Sequence, residues 1–299
     1  MSLTRLFLCA LLLVLFATDT FLLSGCSSTK PATTATTLIN EGYAKAVKLY
    51  DKKDYSNAAI TLESLIFTSR GTALEDKVLF LLGQAYYNSG QYLLALDIYS
   101  RLLQQIPSTP FATSTQFMLA KTNEKLSPHY KLDQHFTIKA IEQFAAYLDL
   151  FPVTDSLRIS GEVKTYRELL KVNPDNPSYK ENYNKALAQL SRLDSIQYAS
   201  KAIPRLRDKL AKNEFSIAHQ YVQLGKYKAA TIFYDELIKH YSDTGYVHQS
   251  WNGKIDVLIK RKKWFDAAQA IEQYLQLYPA KEKEMAGVRE KIMQNLKHI

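Results

Sequence analysis

Cysteine is nearly absent. The 299 residues hold two, Cys9 and Cys26, both close to the N-terminus. The body of the chain can therefore carry neither a disulfide framework nor a cysteine-based zinc site. Glycine and proline are scarce too, at ten and nine, and turn-rich β architectures need more of both. There is no Gly-x-Gly-x-x-Gly, no phosphate-binding P-loop and no Gly-x-Ser-x-Gly elbow. None of His129, His135, His219, His240, His248 and His298 falls in a His-Glu-x-x-His pair. No metal, cofactor or catalytic constellation is expected, and the chain reads as a non-enzyme.

What is present is an ordinary globular balance, 46% hydrophobic and 22% charged, rich in the helix formers Ala, Leu, Lys and Gln. The formal net charge is +9. That sign suits anionic headgroups, acidic proteins or nucleic acid without choosing among them. Arg5 and an apolar run over residues 6–16 open the chain, followed by Ala17-Thr18-Asp19-Thr20. The stretch Leu23-Ser24-Gly25-Cys26 resembles the bacterial lipobox, which implies cleavage before a lipidated Cys26. The rival reading is an uncleaved span over residues 6–25. It would hold Asp19 in the bilayer at about 2.5–3.5 kcal/mol near a helix centre, and that cost favours the signal. Ser27, rather than Asp, after the cysteine favours the outer membrane. Residues 27–37 have no large apolar side chain and read as a tether. Its eleven residues reach at most about 36–40 Å. An exported lipoprotein does not routinely meet nucleic acid, so the basic charge points to lipid or protein partners.

The body is repetitive. Residues 76–107 carry Leu79, Leu82-Gly83, Tyr86, Gly90, Tyr92, Ala95, Tyr99, Leu102 and Pro107. These spacings match the tetratricopeptide pattern, a helical hairpin of about 34 residues. Small Gly83 and Ala95 allow two helices to approach, Tyr86 and Tyr99 fill the space between them, Gly90 turns the corner, and Pro107 stops the second helix. The second-helix half recurs from Tyr55-x-x-Ala58 to Leu62 and Leu65, and from Ala140 to Phe144 and Tyr147. It recurs again from Tyr227-x-x-Ala230 to Tyr234 and Leu237, and from Trp264-x-x-Ala267 to Ile271 and Tyr274. Most of the 20 tyrosines are thereby assigned to packing.

The spacing predicts an all-α, tetratricopeptide-type solenoid of about five hairpins, divided into regions. Residues 1–25 are a signal peptide and 26–38 a lipidated tether. Repeats one to three occupy 39–155, a helical insertion of one or two helices 156–203, and repeats four and five with a C-terminal capping helix 204–299. The third repeat has a long loop over residues 126–136 where the others have a tight turn.

Two stretches outside the generic repeat carry a more specific resemblance. Leu132-Asp133-Gln134-His135-Phe136-Thr137-Ile138-Lys139-Ala140-Ile141 is similar to an Asp-Gln-x-x-Thr-x-x-Ala-Ile segment of the BamD (YfiO or ComL) family of outer-membrane β-barrel assembly lipoproteins. Residues 206–221, Leu206-Arg207-Asp208-Lys209-Leu210-Ala211 through Glu214, Ala218 and Tyr221, resemble that family's fourth repeat. The resemblance covers about residues 39–155 and 204–279. It implies a scaffold on the periplasmic face of the outer membrane of a Gram-negative bacterium. Such a scaffold binds the C-terminal signals of unfolded outer-membrane proteins and docks the barrel-forming subunit BamA. Three departures stand out: the length of segment 156–203, Ile232-Phe233 where many members carry Asn-Arg, and Ser242 in place of a proline. They leave room for a different tetratricopeptide lipoprotein, serving secretin or pilus assembly or coordination of the cell envelope.

First helices line the inner face of such an array. Residues one step off the core pattern there are Tyr43, Val47, Tyr50, Phe80, Gln84, Tyr87, Phe117 and Lys121. Aromatics with an amide and a cation suit an extended peptide ending in an aromatic residue and a carboxylate; edge packing is the competing role. Met118 occupies one cation site of the chaperone-binding carboxylate clamp, so a clamp of that kind is not expected. For partner docking the candidates are Tyr227, Ile232 and Phe233, by the resemblance, and the cation run Lys260-Arg261-Lys262-Lys263. That run would cap a helix as a solvated turn, or meet anionic headgroups or an acidic partner.

Overall fold

The computed structural model describes residues 35–151 and 156–297, and among them every regular element is helical. Cys26 and the signal segment lie outside the described residues. The first repeat is α1 (Ala35–Asp51) and α2 (Tyr55–Glu63), the second α3 (Glu75–Asn88) and α4 (Tyr92–Gln105), and the third α5 (Ala112–Leu126) and α6 (His135–Leu150). Next come α7 (Ser156–Val172) and the 47-residue α8 (Pro177–Gln223), then α9 (Tyr227–His240). The last repeat is α10 (Val247–Lys260) and α11 (Trp264–Leu277), closed by a 3-10 turn (Pro279–Lys281) and α12 (Glu282–Leu296). Helix α1 starts at Ala35, inside the stretch read as tether.

The repeat pattern is realised as packing. The five alanines Ala58, Ala95, Ala140, Ala230 and Ala267 are each completely buried. Four residues on, Leu62, Tyr99, Phe144, Tyr234 and Ile271 fill the space between helices at 3% exposure or less. Gly83 is required by one of these neighbours. A Cβ on Gly83 would stand 2.5 Å from a ring carbon of Tyr99, so the ring occupies the volume a side chain would need.

The corner within a repeat is equally regular. Lys53, Gly90, Gly225 and Lys262 all adopt left-handed backbone, with φ of 63°, 80°, 68° and 58°. The next residue's N–H reaches back across the helix end in each case: Asp54 to Leu49, Gln91 to Tyr86, Lys226 to Tyr221 and Lys263 to Leu258, at 2.8–2.9 Å. This is the hydrogen-bond signature of a Schellman cap. Sequence pointed to Gly90 alone; two lysines hold the same conformation.

The third repeat departs from this. In the loop between α5 and α6, Gln134 is buried and donates from Nε2 to the carbonyls of His129 (3.0 Å) and Leu132 (2.7 Å). Its Oε1 accepts from fully buried Thr137 at 2.7 Å. Asp133 accepts from the His135 N–H at 2.7 Å, just ahead of α6. The Asp-Gln-x-x-Thr segment is therefore a hydrogen-bonded knot that replaces the left-handed corner.

Position 203/204 marks no break in the chain path. Pro204 lies inside α8, which runs from the segment read as an insertion straight into the first helix of the fourth repeat. A mid-helix proline costs about 3 kcal/mol. Tertiary packing offsets that cost: Ala199, Ala202 and Leu206 are buried against Ala120, Ala140, Phe144 and Tyr147 of the third repeat. Helix α7 packs along α8, α8 packs on both α6 and α9, and so α8 joins the two parts of the array.

Candidate functional site

Three first helices converge on one cation. The Lys121 ammonium on α5 lies 5.8 Å from the ring centre of Tyr87 on α3, 5.7 Å from Phe117 and 5.0 Å from Tyr198 on α8. These are cation–π distances. Phe117 in turn meets Tyr198 edge-on at 5.7 Å and Tyr147 at 5.3 Å, which fixes its plane. Partial burial pulls the Lys121 pKa down, and nearby Glu124 opposes that. Burial pushes the Tyr87 phenol up to about 12, so its hydroxyl stays protonated and available as a donor.

Glu124 does not neutralise the cage. Its Oε2 accepts from the Tyr198 hydroxyl at 2.8 Å, and its Oε1 pairs with Arg205. Burial, and then this bond to Glu124, raise the Tyr198 pKa. With Glu124 engaged by α8, Lys121 remains a half-buried positive charge walled by rings. Such an arrangement can receive a carboxylate beside an aromatic side chain and performs no bond chemistry.

The other candidates are distributed along the same face. The Tyr50 hydroxyl accepts from Asn88 Nδ2 at 2.7 Å, next to Tyr87, and its ring meets Tyr55 at 5.2 Å. Tyr43 and Val47 are half-buried against the N-terminal core, and Gln84 is half-buried on α3. Phe80 turns away from the cage and stacks on Phe111 at 4.6 Å and 11°, packing the junction between the second and third repeats. The structure thus gathers Tyr87, Phe117 and Lys121, with Tyr50 alongside, and leaves Phe80 apart.

Tyr198, Glu124 and Arg205 were not singled out by sequence. The region boundary at 203/204 separates Tyr198 from Arg205, which share a helix. The stripe Ile196, Ala199, Ala202, Leu206 crossing Pro204 at three- and four-residue steps was the available signal.

In the C-terminal repeats Phe233 stacks on Tyr221 at 5.3 Å, and Tyr227 packs beside Ala230 and Tyr234. Ile232 is exposed. Lys260 pairs with Asp256 at 2.7 Å, its ammonium 6.0 Å from the Tyr227 ring, and Arg261 reaches Thr231 Oγ1 at 3.5 Å. Lys262 forms the corner and Lys263 precedes α11. Tyr227, Lys260 and Arg261 therefore form one patch, while Ile232 stands free on α9.

The described residues hold no cluster of His, Cys, Asp or Glu suited to a metal. None of their helices is long and apolar enough to cross a membrane.

Comparison with known proteins adds the family. The model of the YfiO family, described as outer membrane lipoproteins, matches residues 36–257. The chain is 27% identical over 222 residues to the outer membrane protein assembly factor BamD of Neisseria gonorrhoeae, covering 67% of this chain and 81% of that one. The Neisseria meningitidis serogroup B protein of the same name is also 27% identical, over 58% of this chain and 67% of its own. Among solved structures, a tetratricopeptide repeat protein from Parabacteroides merdae is 16% identical over 87% of this chain and 97% of its own, with a TM-score of 0.33. One from Thermus thermophilus is 14% identical over 78% and 98%, with a TM-score of 0.30. The chain belongs to the YfiO family of outer membrane lipoproteins, and it is a helical scaffold rather than an enzyme.

Proposed function

We propose that the chain is a lipid-anchored scaffold on the periplasmic face of the outer membrane. Its first three repeats bind C-terminal segments of unfolded outer-membrane proteins, and its last two dock a BamA-like barrel-forming subunit. The lipobox at Cys26 supports the anchor: two or more acyl chains hold a soluble body at a bilayer stably, at about 0.8 kcal/mol per buried CH₂. The observation that carries client binding is the Lys121 cation, which lies among Tyr87, Phe117 and Tyr198 with no carboxylate at ion-pair distance among the described residues. An aromatic residue followed by a carboxylate complements it in both shape and charge. The docking role rests on the family and on the Tyr227, Ile232, Phe233 and Lys260–Lys263 surfaces.

Crosslinking through a photoreactive group placed at Gln84 tests the reading. Peptides ending in an aromatic residue with a free carboxylate should label the protein, and their amidated forms should label it at least several-fold less. Lys121→Glu should abolish the difference, and equal labelling by both peptides would overturn the site. Pull-down of the native lipoprotein should recover a large outer-membrane barrel protein.

A second reading, service to secretin or pilus assembly, draws on Ile232-Phe233 standing where many relatives carry Asn-Arg. Depletion separates the two: broad loss of outer-membrane barrels supports the first, a defect confined to one secretion or pilus system the second.

A further inference from the structure

Beyond the Lys121 cage, one stripe of α8 forms the floor of a continuous cleft. Three cavities of about 630, 290 and 550 Å³ follow one another along it. Tyr130, Lys212 and Tyr246 are shared by the first and second, and Ser216 and His219 by the second and third. The loop after α5 makes one wall and Tyr246, at the start of α10, the other. This loop is the long connection of the third repeat, over residues 126–136. In the structure α8 holds it firmly: Lys209 Nζ donates to the Ser127 hydroxyl at 2.6 Å, and Asn213 Nδ2 donates to the Tyr130 carbonyl at 2.6 Å.

The charges lining the cleft are mostly positive. Arg205, Lys209 and Lys212 rise from the floor, and Lys131 from the wall. Asp208 is the one carboxylate among the residues lining the three cavities, and its Oδ1 already accepts from the Gly245 N–H at 3.0 Å. Arg205 is taken by Glu124. Lys131, Lys209 and Lys212 have no carboxylate at ion-pair distance among the described residues. Lys209 is bonded instead to neutral oxygens, and Lys212 sits 4.4 Å over the Tyr130 ring. Phe215 and Tyr246, 5.7 Å apart, add aromatic surface between the cations. Cations gathered along one groove raise the local concentration of an anionic ligand.

We propose that this cleft binds an acidic polypeptide segment bearing aromatic side chains, at a place distinct from the Lys121 face to which the client segments are assigned. The charge sign selects an anion, and the rings select a chain that carries aromatics. The proposal does not depend on the client-binding reading, since it stands on Lys131, Lys209 and Lys212 rather than on Lys121.

The test is fluorescence anisotropy with the full-length protein in non-ionic detergent and a labelled Asp-Glu-Phe-Asp-Glu-Tyr-Asp-Glu peptide. Binding in the micromolar range is expected, weakening at least tenfold when every Asp and Glu becomes Asn and Gln, and falling steadily with salt. Lys131→Glu combined with Lys212→Glu should weaken binding at least tenfold with the helical circular dichroism unchanged. The milder Lys131→Gln, Lys212→Gln pair serves if the first fails to fold. Lys121→Glu should leave this binding within twofold, which separates the cleft from the client face. Equal affinity for the neutral peptide, or no loss in either double variant, would overturn the proposal. So would phosphatidylglycerol vesicles that displace the peptide and depend on the same lysines, because they would assign the cleft to lipid.

Discussion

The two kinds of corner in this solenoid solve the same problem differently. Four repeats turn on a single left-handed residue, and the hydrogen bonds that close the turn come from the same hairpin. The third turns through a loop whose order depends on buried Gln134 and Thr137, and on Lys209 and Asn213 from α8, about 80 residues downstream. Tight corners are local and can form as soon as their own hairpin does. The third corner is complete only once α8 is seated, so the order of this loop reports on the joining of the two parts of the array. Both the cage at Lys121 and the cleft beyond it lie along that joint. The irregular repeat is therefore the one beside which both proposed binding surfaces lie.

The sharpest way to break the comparison is to unseat α8. Phe144 is completely buried among Ala120, Ala140, Ala199 and Tyr147. Phe144→Ala should cost about 3–5 kcal/mol, and chemical denaturation should lose its single transition as the two parts of the array uncouple. A change confined to the midpoint, with one cooperative transition kept, would mean that α8 is held mainly elsewhere. Next in size is the knot itself. Gln134→Ala removes three hydrogen bonds from the loop, while the His129 carbonyl keeps the Leu132 N–H and the Thr137 hydroxyl keeps Ser127, for about 1–2 kcal/mol. Hydrogen exchange should accelerate in residues 127–134 and not at the corner around Gly90.

How much of this was legible beforehand follows the same division. The alanine and tyrosine spacing exposed the hairpins because each hairpin is a local, periodic object. Gly83 and Gly90 could be assigned their roles directly. Lys53 and Lys262 could not, because nothing in a lysine announces positive φ; the corner forces the residue into that conformation. Helix α8 was misdivided at Pro204, where a local rule was outweighed by burial of Ala199, Ala202 and Leu206 against a repeat distant in sequence. The same misdivision concealed Tyr198 and Arg205 from the reading of the groove. Its N-terminal aromatics could be proposed because they sit one step off a pattern that was already visible.

Corner substitutions give smaller effects of opposite sign. Gly90→Ala places a Cβ on left-handed backbone and should cost about 1 kcal/mol. Lys53→Gly relieves that same strain but loosens the unfolded chain, so its gain should not exceed about 0.5 kcal/mol. Thermal melts of the two variants check the pairing. If both substitutions destabilised equally, the conformation would not be what distinguishes the two residues.

The smallest effect concerns the one strong ion pair that ties α8 to the turn before α10. Arg207 grips Asp243 with two hydrogen bonds of 2.7 and 2.6 Å and adds a third to the His240 carbonyl at 2.8 Å. That grip holds the Asp243 carboxyl below its ordinary pKa. A depressed folded-state pKa means that the stabilisation is fully present above the unfolded value, near 3.9, and is lost as the pH falls through the lower folded value. Stability should therefore decline below about pH 4, with Asp243 contributing a small share, since its side chain is 51% exposed and solvent screens the pair. Asp243→Asn should flatten that part of the acid limb while changing the neutral-pH midpoint only slightly. An acid limb identical in the variant would show that the pair contributes only geometry, holding α8 to the turn through the Arg207 bond to His240.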